Sequence, residues 1–175
     1  MKRNFLITGG AGFIGSNLVN ELLKNDENNV IVFDNLSTGR ISSIDQNNKN
    51  LKFYKIDLKK PFHEWPQFNN IDTVLHFAAN ADVRGGQENR DIDFYENVIV
   101  TKSLCDYASI NKIRKVSFSS SATVYGEPDI FPTPENYSSI QTSVYGASKL
   151  AGEAYLQAYS EYSDFKVTIF RFVSW

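Results

Sequence analysis

Apolar residues gather in short runs at 4–8, 30–34, 51–56, 73–77, 115–119 and 167–173, each of strand length and bounded by polar or turn-forming residues. Between them the pattern changes to a helical period. At 13–24, Ile14, Leu18 and Leu22 share one stripe, and at 144–160, Leu150, Ala151, Ala154 and Ala158 do the same, with Thr142 or Ser143 placed to cap the start. A third helix is predicted at 91–111. The stretch 35–50 is polar and reads as a loop with a short helical turn, and 61–70 as a loop with a brief helix. The stretch 127–141 carries three prolines and is irregular. Strands alternating with helices predict an α/β fold, a doubly wound parallel sheet covered on both faces.

A length of 175 residues suits one domain with one core. Net charge is −2 and no basic stripe appears, which argues against a nucleic-acid partner. A single cysteine, Cys105, rules out an internal disulfide framework, and its place in V-I-V-T-K-S-L-C-D-Y-A gives it a buried apolar role. No apolar run approaches the roughly 20 residues of a membrane helix. Lys2-Arg3 before F-L-I looks like the start of a signal peptide, but glycines at 9, 10, 12 and 15 interrupt it and no cleavage site follows. The segment reads as strand and turn, and the location as cytoplasmic.

Gly9, Gly12 and Gly15 lie directly after the first strand and directly before an amphipathic helix. Glycines there let backbone approach a pyrophosphate resting on the helix N-terminus, and a purely structural turn is the alternative. Asp34 ends the second strand, 19 residues beyond Gly15, where a carboxylate accepts hydrogen bonds from ribose hydroxyls and repels a 2′-phosphate. NAD is therefore favoured over NADP. Two other readings stay open: Asp34 as a cap for the loop N-L-S-T-G-R, and Arg40 as a phosphate receiver. Asp57-Leu58, after the third strand, suits adenine or a solvated loop. Ala78 and Ala79, after the fourth, permit a ligand's close approach. His76 reads as core or as a residue behind the site and His63 as surface; neither has a partner at metal-ligand spacing, so no metal is implied.

Tyr145 and Lys149 are four apart at the head of a predicted helix, so both can face one pocket, where an ammonium makes a phenolate easier to form. Tyr162 and Lys166 repeat the spacing, but Ser163-Asp164 breaks the helical pattern and the pair straddles a helix end and a strand start. Ser121, in F-S-S-S-A-T-V-Y-G, adds a hydroxyl near the end of the fifth strand.

Taken together, T-G-G-A-G-F-I-G-S, D-N-L-S-T-G, Asp57-Leu58, H-F-A-A-N-A-D-V-R, Asn97-Val98, S-S-S-A-T-V-Y-G and Y-G-A-S-K resemble the extended short-chain dehydrogenase/reductase family, in its NAD-dependent nucleotide-sugar epimerase branch, that of the UDP-glucose 4-epimerases. The resemblance implies a Rossmann fold and an NAD site formed by Gly9, Gly12, Phe13, Ile14, Gly15, Asp34, Asn35, Asp57, Leu58, Ala78, Ala79, Ser119, Tyr145 and Lys149. It implies Tyr145 as acid/base and Lys149 as the residue that holds the nicotinamide ribose and lowers the tyrosine pKa. Ser121 would hydrogen-bond the reacting sugar hydroxyl and Thr123 would touch the substrate, a nucleotide sugar such as a UDP-hexose. Related dehydratases carry an acidic pair where Ala122 and Thr123 stand here, so oxidation at C4 and re-reduction is the implied chemistry. A homodimer through 91–111 and 144–160 is implied too.

The chain departs from that family in two ways. Relatives continue into a smaller C-terminal domain that closes over the sugar, whereas this sequence stops at Trp175 beside the sixth strand, so 1–175 is read as the NAD-binding domain with most of the substrate domain absent. Ser174 stands where the family places an Asn. Two alternatives remain: a non-catalytic NAD-binding module, and a nucleotide-sugar dehydratase or reductase on the same scaffold.

Overall fold

The computed structural model describes residues 2–82, 88–138 and 140–173. Ser174 and the Val83-Arg84 end of the fourth-strand motif lie outside the described residues. Strands β1 (Arg3–Thr8), β2 (Asn28–Asp34), β3 (Leu51–Lys55), β4 (Thr73–His76), β5 (Lys115–Ser121) and β6 (Lys166–Phe172) form one parallel sheet in the order β3-β2-β1-β4-β5-β6. The order reverses between β1 and β4, which opens a crevice at the carboxyl edge of those strands.

Strand alternation sends neighbouring residues to opposite faces. On one face Leu6, Ile31, Phe33, Val74, Val116 and Phe118 meet Leu104, Tyr107 and Leu156; on the other, Ile7, Val30 and Val32 meet Val19 and Leu23. Helix α1 (Phe13–Leu23) covers the second face. The first face is covered by α3 (Val100–Ile110) and α4 (Val144–Tyr162). Buried Trp65 and Tyr107 pack around Phe33 and keep their polar ends satisfied, the indole donating to Lys60 O at 2.9 Å and the phenol to Pro66 O at 2.8 Å.

Several expectations hold. Ser143 caps α4, its Oγ accepting from Gly146 N at 2.9 Å. Single turns of 3₁₀ helix at Ile41–Ser43 and Phe62–Glu64 break the two polar loops. Tyr162 ends α4 and Lys166 starts β6, so that pair does straddle two elements. Cys105 is buried, and its thiol is pushed up to about 12, mainly by that burial.

Three expectations change. In α1 the buried residues are Gly15, Ser16, Val19 and Leu23, one step round from the Ile14/Leu18/Leu22 stripe, with Gly15 seated directly against the turn, where a Cβ would lie 2.2 Å from Gly9 O. Ile14 is left half-exposed. The predicted helix at 91–111 is composite: α2 (Arg90–Asp93) passes into a π-helical turn, Phe94–Ile99, before α3. Strand β5 runs on to Ser121, so Ser119 and Ser121 both project from a strand on one side and Ser120 on the other. Beside them on edge strand β6, Phe170 and Phe172 stack with centroids 6.1 Å apart and stay half-exposed.

Candidate active site

The glycine turn joins β1 to α1. Gly9 has φ +68°, a left-handed conformation, and a Cβ there would come within 2.6 Å of Ala78 N. A Cβ on Gly15 would lie 2.2 Å from Gly9 O. The turn is therefore folded on itself and against the end of β4, which leaves the N-terminus of α1 open toward the crevice.

Asp34 fastens this turn. Its carboxylate accepts from Ala11 N at 2.9 Å and from Leu36 N at 2.8 Å, and the side chain is buried. It is thus a cap for the polar loop as well as a lining residue of the cleft, and each oxygen keeps a lone pair for a ribose hydroxyl. Asn35 Oδ1 accepts from Ser37 N. Asp57 caps Lys59 N and faces Lys59 Nζ at 3.6 Å, so the solvated-loop reading is met while its side chain still borders the cleft.

The cleft has a volume of about 630 Å³. Its walls bring together the predicted set: Gly9, Gly12, Phe13, Ile14, Gly15, Asp34, Asn35, Asp57, Leu58, Ala78, Ala79, Ser119, Ser121, Thr123, Tyr145 and Lys149 all border it. Arg40 does not.

At the β5 end Ser121, Tyr145 and Lys149 converge. Tyr145 and Lys149 share one face of α4, and Lys149 Nζ sits 5.8 Å from the Tyr145 ring centroid. Burial holds Tyr145 above its ordinary value, and the neighbouring Ser121 hydroxyl draws it only partly back down. Lys149 is 3% exposed, and burial lowers its amine to about 8. Its ammonium donates to Ser119 O at 3.0 Å and lies 5.1 Å from the Phe118 ring centroid. In this geometry Ser121, rather than Lys149, pulls the Tyr145 pKa downward, because the ammonium is turned to a carbonyl and not to the phenol.

His76 lies behind the site, fully buried, with Thr8 Oγ1 2.6 Å from Nδ1 and Thr101 Oγ1 3.1 Å from Nε2. Burial, and then the Lys149 charge, lower it to about 3, so it is neutral. Thr123 donates its backbone N–H to Ser121 Oγ at 3.2 Å, and its own hydroxyl is buried without a partner among the described residues. Among the described residues no group of His, Cys, Asp and Glu is placed to hold a metal ion.

Sequence reasoning missed two buried polar networks. In the first, Asn80 Nδ2 and Asn97 Nδ2 donate to Asp93 Oδ1 at 2.9 and 3.3 Å, and Asn97 Nδ2 also donates to Ser148 Oγ at 2.8 Å. In the second, Glu153 accepts from Ser120 Oγ and binds Arg171 through two nitrogens, at 3.0 and 2.8 Å. Asn97-Val98 was visible only as part of the matched pattern, and its Asn had no role.

The cleft's own chemistry suits a dinucleotide: a turn that admits no side chain at Gly9 or Gly15, a carboxylate at the end of β2, and small residues at the end of β4. Comparison with known proteins agrees. The chain is 41% identical over 151 residues to a UDP-glucose 4-epimerase of Halalkalibacterium halodurans, a match covering 85% of this chain and 43% of the relative. It is 37% identical to that of Yersinia enterocolitica, covering 97% and 52%. It superposes with TM-score 0.89 and 34% identity on UDP-N-acetylglucosamine 4-epimerase from Methanobrevibacter ruminantium in complex with UDP-N-acetylmuramic acid, covering 98% of this chain and 55% of that one. With UDP-glucose 4-epimerase of Thermus thermophilus in complex with NAD, the TM-score is 0.84, the identity 32% and the coverage 96% and 54%. The chain spans about half the length of the curated relatives it matches. With residues 5–175 matching the family profile as well, the chain belongs to the NAD dependent epimerase/dehydratase family.

Proposed function

We propose that residues 1–175 are the dinucleotide-binding and catalytic part of an NAD-dependent nucleotide-sugar 4-epimerase acting on a UDP-hexose. One observation carries this reading: Ser121, Tyr145 and Lys149 converge, at the end of β5, in the same cleft that the Gly9–Gly15 turn and Asp34 line. The backbone of Gly12, Phe13, Ile14 and Gly15 would hold the pyrophosphate, Asp34 and Asn35 the adenosine ribose, Asp57 and Leu58 the adenine, and Ala78, Ala79, Ser119 and Lys149 the nicotinamide end. When bound, NAD supplies the hydride acceptor that C4 oxidation needs and returns the hydride.

The protein's own part is proton movement. Tyr145 takes the proton of the sugar hydroxyl and later returns it, Ser121 orients that hydroxyl and draws the phenol toward its ionised form, and Lys149 would hold the nicotinamide ribose. Ala122 and Thr123 offer no acid for eliminating water, which supports epimerisation over dehydration. The site is read as cytoplasmic; among the described residues no helix is long and apolar enough to cross a membrane. A homodimer through 91–111 and 144–160 is supported by half-exposed Phe94, Tyr95, Leu150 and Tyr155 on these helices.

Calorimetric titration with NAD, then with UDP-glucose, tests the reading. Tyr145→Phe should bind NAD like the parent and lose epimerisation wherever the parent shows it; undiminished epimerisation by that variant refutes the assignment. NAD uptake with no response to the UDP-sugar supports the second reading, a dinucleotide-binding module without turnover.

A further inference from the structure

Asp93 is fully buried at the junction of α2 and the π-helical turn. Its Oδ1 is held by the amides of Asn80 and Asn97, and its Oδ2 has no partner among the described residues. An ionised carboxylate left half-bare in the interior is costly unless a cation lies within reach. The hydrogen-bonded chain shows where it acts. Asn97 links Asp93 to Ser148 Oγ, and Ser148 donates to Tyr145 O at 2.7 Å, so Asp93 is tied to the first turn of α4, which carries both Tyr145 and Lys149.

We infer that Asp93 is a positioning residue, the fixed counter-charge of the Tyr145–Lys149 pair, anchored through one oxygen by Asn80 and Asn97 so that its charge balances the buried Lys149 ammonium. Asp93 raises the Lys149 pKa against the pull of burial, and it raises that of Tyr145 as well. Other charged groups near this pair are otherwise engaged. His76, from β4, is neutral; Glu153, one turn further along α4, is bound by Arg171 from β6. Across the cleft, Glu96 and Asp57 share Lys59, and Asp34 faces backbone amides. Asp93 is thus the anion available to Lys149 among the described residues. The π-helical turn has a function on this account: it places Asn97 where one amide reaches both Asp93 and Ser148.

The catalytic meaning of this inference rests on the function proposed above, but its test requires no turnover. In the 175-residue chain with carbon-13 at the lysine ε positions, the Lys149 resonance, assigned by its loss in Lys149→Met, should titrate near pH 8. Asp93→Asn should move that midpoint down, so that the charged-to-neutral ratio at fixed pH falls by about threefold or more. An unchanged midpoint overturns the inference. If Asp93→Asn does not fold, the parent chain decides. The Asp93 carboxyl resonance should step at the Lys149 midpoint and lose that step in Lys149→Met; a carboxyl resonance indifferent to Lys149 overturns the inference equally. A Lys149 that responds to Asp93 in a chain that never epimerises would sink the functional reading and leave this one standing.

Discussion

Removing Arg171 should expose how strongly the interior depends on one ion pair. Glu153 has a side chain 2% exposed, and Arg171 one 23% exposed. Arg171 holds Glu153 through Nε and Nη2, reaches Glu135 O at 2.7 Å through Nη1, and lies 4.8 Å from the Tyr125 ring centroid. In Arg171→Met the carboxylate keeps the Ser120 hydroxyl as its remaining partner. Stranding a buried charge in this way costs about 3–5 kcal/mol, and the partial solvent access of Arg171 places this case toward the lower figure. For a chain of this size that is a fall in Tm of roughly 6–20 °C. The double variant Glu153→Leu/Arg171→Met removes both charges and should recover most of the loss, less about 1 kcal/mol for the abandoned Ser120 hydroxyl. Urea unfolding followed by fluorescence of buried Trp65 provides the assay, completed as a double-mutant cycle. A cost below about 1 kcal/mol for Arg171→Met, or a double variant as unstable as the two singles summed, would refute the reasoning.

Gly15→Ala should retain the far-ultraviolet spectrum of the parent but lose at least about tenfold in NAD affinity by calorimetry, since its Cβ would lie 2.2 Å from Gly9 O and the turn must open to admit it. His76 is held at about 3, far below its ordinary value, so as pH falls from 6.5 toward 3 the unfolded chain takes up a proton that the folded chain refuses. Stability contributed by neutral His76 is therefore present above pH 6.5 and is lost on acidification; the parent should lose stability across that window faster than His76→Gln in urea titrations. Leu150→Glu, placing a charge on the half-exposed face of α4, should convert a homodimer to monomer in light scattering at micromolar concentration, and a parent that is already monomeric there removes the dimer proposal.

The sheet was legible because its signals are local. Each strand is a short apolar run, and glycines at the β1–α1 junction announce a turn without side chains. Asp34 and the Tyr145–Lys149 pair were legible for the same reason, since their spacing from a recognisable element decides their direction. What escaped depends on distant partners. Nothing in the local pattern pairs Glu153 with Arg171 until α4 is laid over β5 and β6. Asp93 and Asn97 are polar residues in a helical pattern, and only the change to π-helical bonding brings the Asn97 amide onto Asp93 and Ser148 together. The apolar stripe in α1 misled by one step because hydrophobicity was counted where closeness of approach decided the contact.

Three consecutive serines close β5, chemically identical and adjacent, yet they are not interchangeable. Ser119 offers its carbonyl to Lys149 and its hydroxyl to His76 O, Ser120 turns inward to Glu153, and Ser121 meets the phenol. An alignment that slips by one place within this run scores the same and exchanges a hydroxyl that lines the cleft for one locked in the interior. A deletion of one serine would leave a familiar-looking motif with a different hydroxyl facing the cleft, so the pleat of the strand, not the letters, says which hydroxyl is which.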